Sequence, residues 1–260
     1  MRIFKALLPL TALIAAPAIA ETALPADPLG SPMWEYHGAR LFGADRVVFD
    51  SRVKVSLPII AENQQVVPVT VDARALKGVQ RILLFADLNP IPVAIDYRPG
   101  EAAPFVATRI KLDQRTPVRG AVQTADGTWH VSGGWIDAAG GGCSAPPISR
   151  VRGDWADHLG EMRGGAWQAG DAMRIRVSFR HPMDTGLVEN IPAYNIETLK
   201  INDMSGKQLA AMTIYGSVAE DPAFTLEIAG AGRPVMVAAR DTAGLEFSGK
   251  IAVHGAARPQ

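Results

Sequence analysis

The chain has 260 residues, with 26 basic and 26 acidic side chains and 48% hydrophobic residues. That is enough for one large or two ordinary domains with a real core, and the charge balance leaves no electrostatic case for nucleic acid or a membrane surface as partner. A single cysteine, Cys143, excludes an internal disulfide.

Residues 1–20 read as a signal peptide. Arg2 and Lys5 form a basic start, Ala6 to Ala16 is apolar but too short to span a bilayer, Pro17 breaks it, and Ala18-Ile19-Ala20 offers a small-x-small cleavage site. The expectation is export to the periplasm of a chain beginning at Glu21, and no later segment is apolar for long enough to cross a membrane. Residues 21–46 then form an N-terminal segment. In it Ser31-Pro32 looks like an N-cap followed by proline at the first helical position, with Trp34, His37 and Leu41 on one face, which predicts a short helix near 32–42.

From Val47 the hydrophobic period changes to two. Val53, Val55 and Leu57 share a face, as do Val67, Val69 and Val71. Further strands are predicted over 81–88, 93–97, 105–112, 116–124 and 128–136, the last two joined through Ala125-Asp126-Gly127 as a hairpin. Residues 47–137 thus read as an antiparallel β-sandwich. Over 138–170, glycine and proline replace the alternation, and this stretch is read as a cysteine-bearing loop and linker with a short helix near 154–163 (Trp155, Leu159, Met162). A second block, 171–255, has strands expected at 173–179, 193–201, 208–214, 224–228, 234–239 and 245–253. The fold class is mainly β: two immunoglobulin-like antiparallel sandwiches joined by a Gly/Pro-rich loop.

Cys143 lies in the run Gly140-Gly141-Gly142-Cys143-Ser144-Ala145-Pro146-Pro147. Free cysteine is commonly a buried small hydrophobe, but its neighbours here fit neither helix nor strand period. Glycines carry the highest ordering entropy, so the segment is expected to be exposed and mobile, with Cys143 as a covalent attachment point and Gly140, Gly141, Gly142 and Ser144 as its flanking arm. No lysine or histidine lies within five residues, so nothing local lowers the thiol pKa. His37, His130, His158, His181 and His254 are dispersed without metal-ligand spacing, and no nucleophile elbow, phosphate loop or dinucleotide fingerprint occurs. Neither metal, cofactor nor catalytic residues are therefore assigned. His181-Pro182-Met183-Asp184-Thr185-Gly186 reads as a structural loop, and Trp129, Trp135, Trp155 and Trp167 as core or interface plugs.

Two segments in order carry a family resemblance. The cysteine arm resembles the glycine-rich Gly-Gly-Cys-Gly-Gly arm of SoxY, the sulfur-carrying subunit of the periplasmic thiosulfate-oxidising system. His181-Pro182-Met183-Asp184-Thr185-Gly186 followed by Ile191-Pro192-Ala193-Tyr194 resembles segments of SoxZ. The arrangement looks most like fused SoxYZ-like carriers associated with quinoprotein dehydrogenase systems. The resemblance implies two sandwiches packed as SoxY packs with SoxZ, and a non-enzymatic carrier whose Cys143 holds a sulfur intermediate. It implies as partners periplasmic redox enzymes: a c-type cytochrome, a sulfur-oxidation enzyme or a quinoprotein dehydrogenase. Here the arm continues as Ser-Ala-Pro-Pro, and Cys143 is held at both sides, which shortens its reach. The alternative is a non-catalytic adaptor for a quinoprotein dehydrogenase or c-type cytochrome, with the cysteine not a carrier.

Overall fold

The computed structural model describes residues 24–229 and 233–253. The expected signal peptide, and His254 with the end of the second block, lie outside the described residues. The first block contains helix α1 (Trp34–Leu41) and strands β1 (Val47–Phe49), β2 (Lys54–Ser56), β3 (Val67–Asp72), β4 (Val79–Ala86), β5 (Val93–Arg98), β6 (Ala102–Ile110), β7 (Thr116–Thr124) and β8 (Trp129–Ile136). After it come α2 (Ile148–Arg152), β9 (Met162–Ala169), β10 (Ala172–Phe179), β11 (Ile196–Asn202), β12 (Gln208–Ile214), β13 (Ala223–Ala229), β14 (Val235–Asp241) and β15 (Glu246–Ile251). The architecture is mainly β with few short helices, as the alternating patterns predict. In β3, for example, Val67, Val69 and Val71 are all buried, as the two-residue period requires.

The two sandwiches are more than neighbours on a linker. Their sheets merge edge to edge into one nine-stranded sheet, β1-β8-β7-β4-β5-β12-β11-β14-β15, and one six-stranded sheet, β2-β3-β6-β13-β10-β9. The seams are antiparallel pairings: β5 with β12 from Ile95↔Ile214 to Arg98↔Ala211, and β6 with β13 through Val106↔Leu226 and Ala107↔Thr225. Each seam pairs backbone groups that would otherwise form an open sheet edge. One hydrophobic cluster runs through both halves, from Val69, Ile95 and Ile110 to Ile175, Leu199 and Phe224.

Two expectations need correction. No helix forms over 154–163: the short helix lies earlier, at Ile148–Arg152, and ends on Gly153 in the left-handed conformation (φ 80°), leaving turns at 155–160. Residues 162–169, read as linker, are an edge strand paired along its length with β10. Gly164 packs closely within it: a Cβ there would stand 2.6 Å from Ile251 Cδ1 of the overlying β15, which would have to shift.

A buried ion cluster ties the N-terminal segment to the first sandwich. The Arg119 guanidinium, fully buried, donates to both oxygens of Asp87 at 3.0 Å and to both of Asp27 at 2.7 and 2.9 Å, and lies 4.6 Å from the Trp34 ring. Removing one member of such a cluster strands the others without compensation. Arg119→Leu is therefore expected to lower unfolding free energy by about 3–5 kcal/mol. Urea denaturation measures this, and a loss below about 1 kcal/mol would contradict a buried, mutually compensating cluster.

Candidate functional site

The end of β6 builds the floor of the site. Beyond Ile110 the chain is pinned by the loop between β12 and β13, with the Lys111 amide donating to the Ser217 carbonyl at 2.7 Å. Lys111 is itself buried, and its ammonium donates to the Met183 carbonyl and to the Gly216 carbonyl at 3.1 Å. Burial pulls its pKa down to about 8, against the pull of Cys143, Asp184 and Glu220 toward the charged form. Leu112 follows, its amide bound to the Gln64 carbonyl at 2.8 Å and its own carbonyl accepting the Gly142 amide at 3.0 Å.

The cysteine segment lies down on this floor. Cys143 is fully buried, which corrects the expectation of an exposed, mobile arm. The reason is hydrogen bonding that a local pattern does not contain. Asp113 Oδ1 accepts from the Cys143 amide (3.1 Å), the Ser144 amide (3.2 Å) and the Ser144 hydroxyl (3.0 Å). The thiol donates weakly to the Lys111 carbonyl at 3.8 Å. At Gly142 any side chain is impossible without movement, because a Cβ would fall 2.3 Å from both the Gln64 and Leu112 carbonyl oxygens. Glycine here allows backbone to touch backbone rather than providing mobility. Of the expected arm, Gly140, Gly141 and Ser144 remain partly or fully open to solvent while Gly142 and Cys143 are buried.

The second sandwich closes the site from the other side. Thr185 donates its hydroxyl to the Cys143 carbonyl at 2.7 Å. Asp184 and Tyr194 exchange both backbone hydrogen bonds (2.7 and 3.1 Å), which holds the Asp184 carboxylate against Arg150 at 2.5 Å. Arg150 in turn lies 3.7 Å from the Trp155 ring. The Glu220 carboxylate accepts the first amides of α2, from Ile148 at 2.8 Å and Ser149 at 2.7 Å. The loop 181–186 is thus structural in kind, and its structural work is to seat the cysteine.

Electrostatically the seat favours a neutral sulfur. Burial pushes the Cys143 thiol up to about 12; Lys111 acts in the opposite direction and Asp113 adds to the rise. His181, also buried, accepts the Met183 amide on Nδ1 at 3.1 Å and stands 3.7 Å from Asp241 Oδ2; burial pulls its pKa down to about 4 despite the nearby carboxylate. The described histidines are held apart: His37 on the Asp87 carbonyl, His130 on Asp50, and His158 on Glu161. Among the tryptophans, Trp129 is core, while Trp135 is partly buried and donates to the Leu29 carbonyl at 2.8 Å.

Lys111, Asp113, Arg150 and Glu220 are site residues that the sequence does not mark, and Thr185 is marked there only as part of a structural loop. Lys111 carried no local signal, because strand alternation places it on the face opposite Ile110 and Leu112, where a lysine is ordinarily exposed.

Comparison with known proteins divides the chain into two matched parts. The family profile for Sulfur oxidation protein SoxY matches residues 39–143, ending on the cysteine, and that for Sulphur oxidation protein SoxZ matches residues 162–252. The chain thus carries a SoxY domain and a SoxZ domain of the sulfur-oxidation proteins in one polypeptide. Among solved structures it is similar to the sulfur carrier protein SoxY from Chlorobium limicola f thiosulfatophilum, at 21% identity over 41% of this chain and 96% of that one, with a TM-score of 0.36. It also matches a beta-glycosidase from Bacteroides vulgatus at 10% identity, covering 78% of this chain and 25% of that one, with a TM-score of 0.23. A search of curated proteins finds no match.

Two outcomes follow from the site's geometry. Iodoacetamide is expected to alkylate native Cys143 far more slowly than in urea, since a rise from 9.0 to about 12 removes about a thousandfold of the thiolate at neutral pH. Gly142→Ala is expected to lift the segment, accelerate alkylation, and cost about 1–3 kcal/mol of stability. Equal native and unfolded rates in the wild type would contradict the closed seat. The pH profile has a definite sign at His181. The unfolded state takes up a proton near 6.5 and the folded state only near 4, so stability from this residue is complete above about 6.5 and is lost as pH falls toward 4. A His181→Gln variant is expected to show a flatter acid limb in thermal melts between those values, and an unchanged limb would argue against a buried neutral imidazole.

Proposed function

We propose that this chain is a periplasmic carrier that holds a sulfur intermediate covalently on Cys143 and presents it to redox partner enzymes, without catalytic turnover of its own. The carrying observation is the position of the only cysteine. It stands where the SoxY match ends, between the two matched domains, on a glycine-flanked segment that residues of both sandwiches contact. The similar Chlorobium protein is a sulfur carrier, and the same role is assigned here to Cys143.

The chemistry requires a thiol able to form a sulfur–sulfur bond. Joining Cys143 to thiosulfate breaks the S–H bond, forms S–S, and releases one proton and two electrons. A one-electron acceptor such as a c-type cytochrome takes the electrons in two steps. A sulfur-oxidation enzyme acts on the bound group, and a quinoprotein dehydrogenase system is the further partner included in this reading. Because the thiol is buried, loading and hand-over both require the segment to leave its seat. That same burial is the observation that favours a second reading, a non-catalytic adaptor in which the cysteine carries nothing.

Incubation with thiosulfate, sulfide or polysulfide and an electron acceptor is expected to add mass to the wild type at Cys143 and none to Cys143→Ser. Spectra unchanged across all donors, together with full function of Cys143→Ser in cells, would overturn the carrier reading in favour of the adaptor.

A further inference from the structure

The seat is fitted to an unmodified thiol in three ways. Among the described residues the sulfur's hydrogen bond is to the Lys111 carbonyl, and it needs the thiol proton. A sulfur bonded to another group would present lone pairs to that oxygen. The segment has no slack beneath it, because Gly142 already touches the backbone of Gln64 and Leu112. And the Asp113 carboxylate lies beside the sulfur's own residue, bound by the Cys143 and Ser144 amides.

Charged and titratable groups face the site from every element that packs on it. Asp113 comes from the loop after β6, Arg150 and Asp184 form a closed ion pair, Glu220 is held by the start of α2, and His181 is neutral. Lys111 is the cation that acts on the sulfur, and its ammonium is already held by the Met183 and Gly216 carbonyls of the second sandwich. A group carrying negative charge on Cys143 therefore meets a carboxylate at close range and a cation engaged elsewhere.

We propose that the cysteine segment is a cargo-operated latch, closed around the free thiol and released when Cys143 carries an anionic adduct, with Asp113 as the residue that senses the charge. This rests on the reading of Cys143 as the attachment site. The thiol's own acidity points the same way, because negative charge on this sulfur is disfavoured even with the Lys111 attraction included. Gly140 and Gly141, both at positive φ, and Gly153 at the end of α2 bound the stretch that would swing. Release breaks the Asp113 and Thr185 hydrogen bonds to Cys143 and Ser144, the Gly142 amide bond to the Leu112 carbonyl and the α2 contacts to Glu220 and Asp184, and leaves the sheets intact. An unloaded chain would hide its cysteine from partners, while a loaded one would offer it.

The test uses adducts made chemically, so it does not depend on any physiological donor. Tetrathionate converts the thiol to an S–S–SO3 anion, releasing thiosulfate and a proton. Methyl methanethiosulfonate converts it to a neutral S–S–CH3 group, releasing methanesulfinic acid. Both are introduced in urea, and the protein is then refolded. Hydrogen–deuterium exchange of the amides at 142–145 is expected to rise about tenfold or more for the anionic adduct over the free thiol, and markedly less for the neutral one. In Asp113→Asn, which keeps an acceptor oxygen, the free-thiol segment stays protected and the anionic adduct regains protection. Cys143→Ser and Cys143→Asp give the same contrast, closed and open, without any conjugation. Equal protection of thiol and anionic adduct, or of the Ser and Asp variants, would overturn the latch. Equal release by both adducts, or a segment already open in free-thiol Asp113→Asn, would overturn the role of Asp113. Failure of the carrier reading is separate: it would appear as no adduct from sulfur donors, whatever the exchange shows.

Discussion

Everything at the cysteine depends on two strand pairings, β5 with β12 and β6 with β13. Antiparallel backbone hydrogen bonds admit only a register that keeps both apolar faces inward, so these seams fix how the sandwiches meet. The β6 seam continues into the loop that receives Lys111, through the Ile110–Val218 bridge and the Ser217 carbonyl. That places a first-domain lysine under second-domain carbonyls, and the cysteine segment closes over it. In a single chain the seams form within one molecule, so the seat does not depend on protein concentration as an assembly of two chains would.

The seat explains how the protein could keep one free cysteine without it reacting indiscriminately. Reactivity belongs to the thiolate, and here burial holds the sulfur in its thiol form while the floor supplies an acceptor for its proton. Access and reactivity are then the same event, since a segment that lifts away from Asp113 and Thr185 returns the thiol to water and to an ordinary acidity. Carrier chemistry and a closed resting state are compatible on this basis.

The strands were legible because alternation is a local property. The valines of β3 and the Asp-Gly turn between β7 and β8 announce themselves within a few residues. The β9 strand was not, since Gly164 and Gly165 look like breakers until the overlying Ile251 is seen packed closely on Gly164. Trp155, Leu159 and Met162 have helical spacing, yet Trp155 is taken by Arg150 and Met162 begins a strand. At the site, the cysteine and its glycines were visible, but their meaning was reversed. The triple glycine reads as freedom, whereas Gly142 allows contact with the backbone of Gln64 and Leu112, far earlier in the chain. Asp113 and Thr185 could not be found from local pattern, because each acts on Cys143 only through the fold.

Whether Cys143 carries sulfur in the working protein is decided by the intact mass of the protein purified anaerobically from its own cells during oxidation of reduced sulfur. The expected result is a population heavier than the bare chain, with the added sulfur-containing mass mapped to the peptide bearing Cys143 and removed by a reductant. A chain that is a bare thiol throughout, under the same conditions, would contradict it.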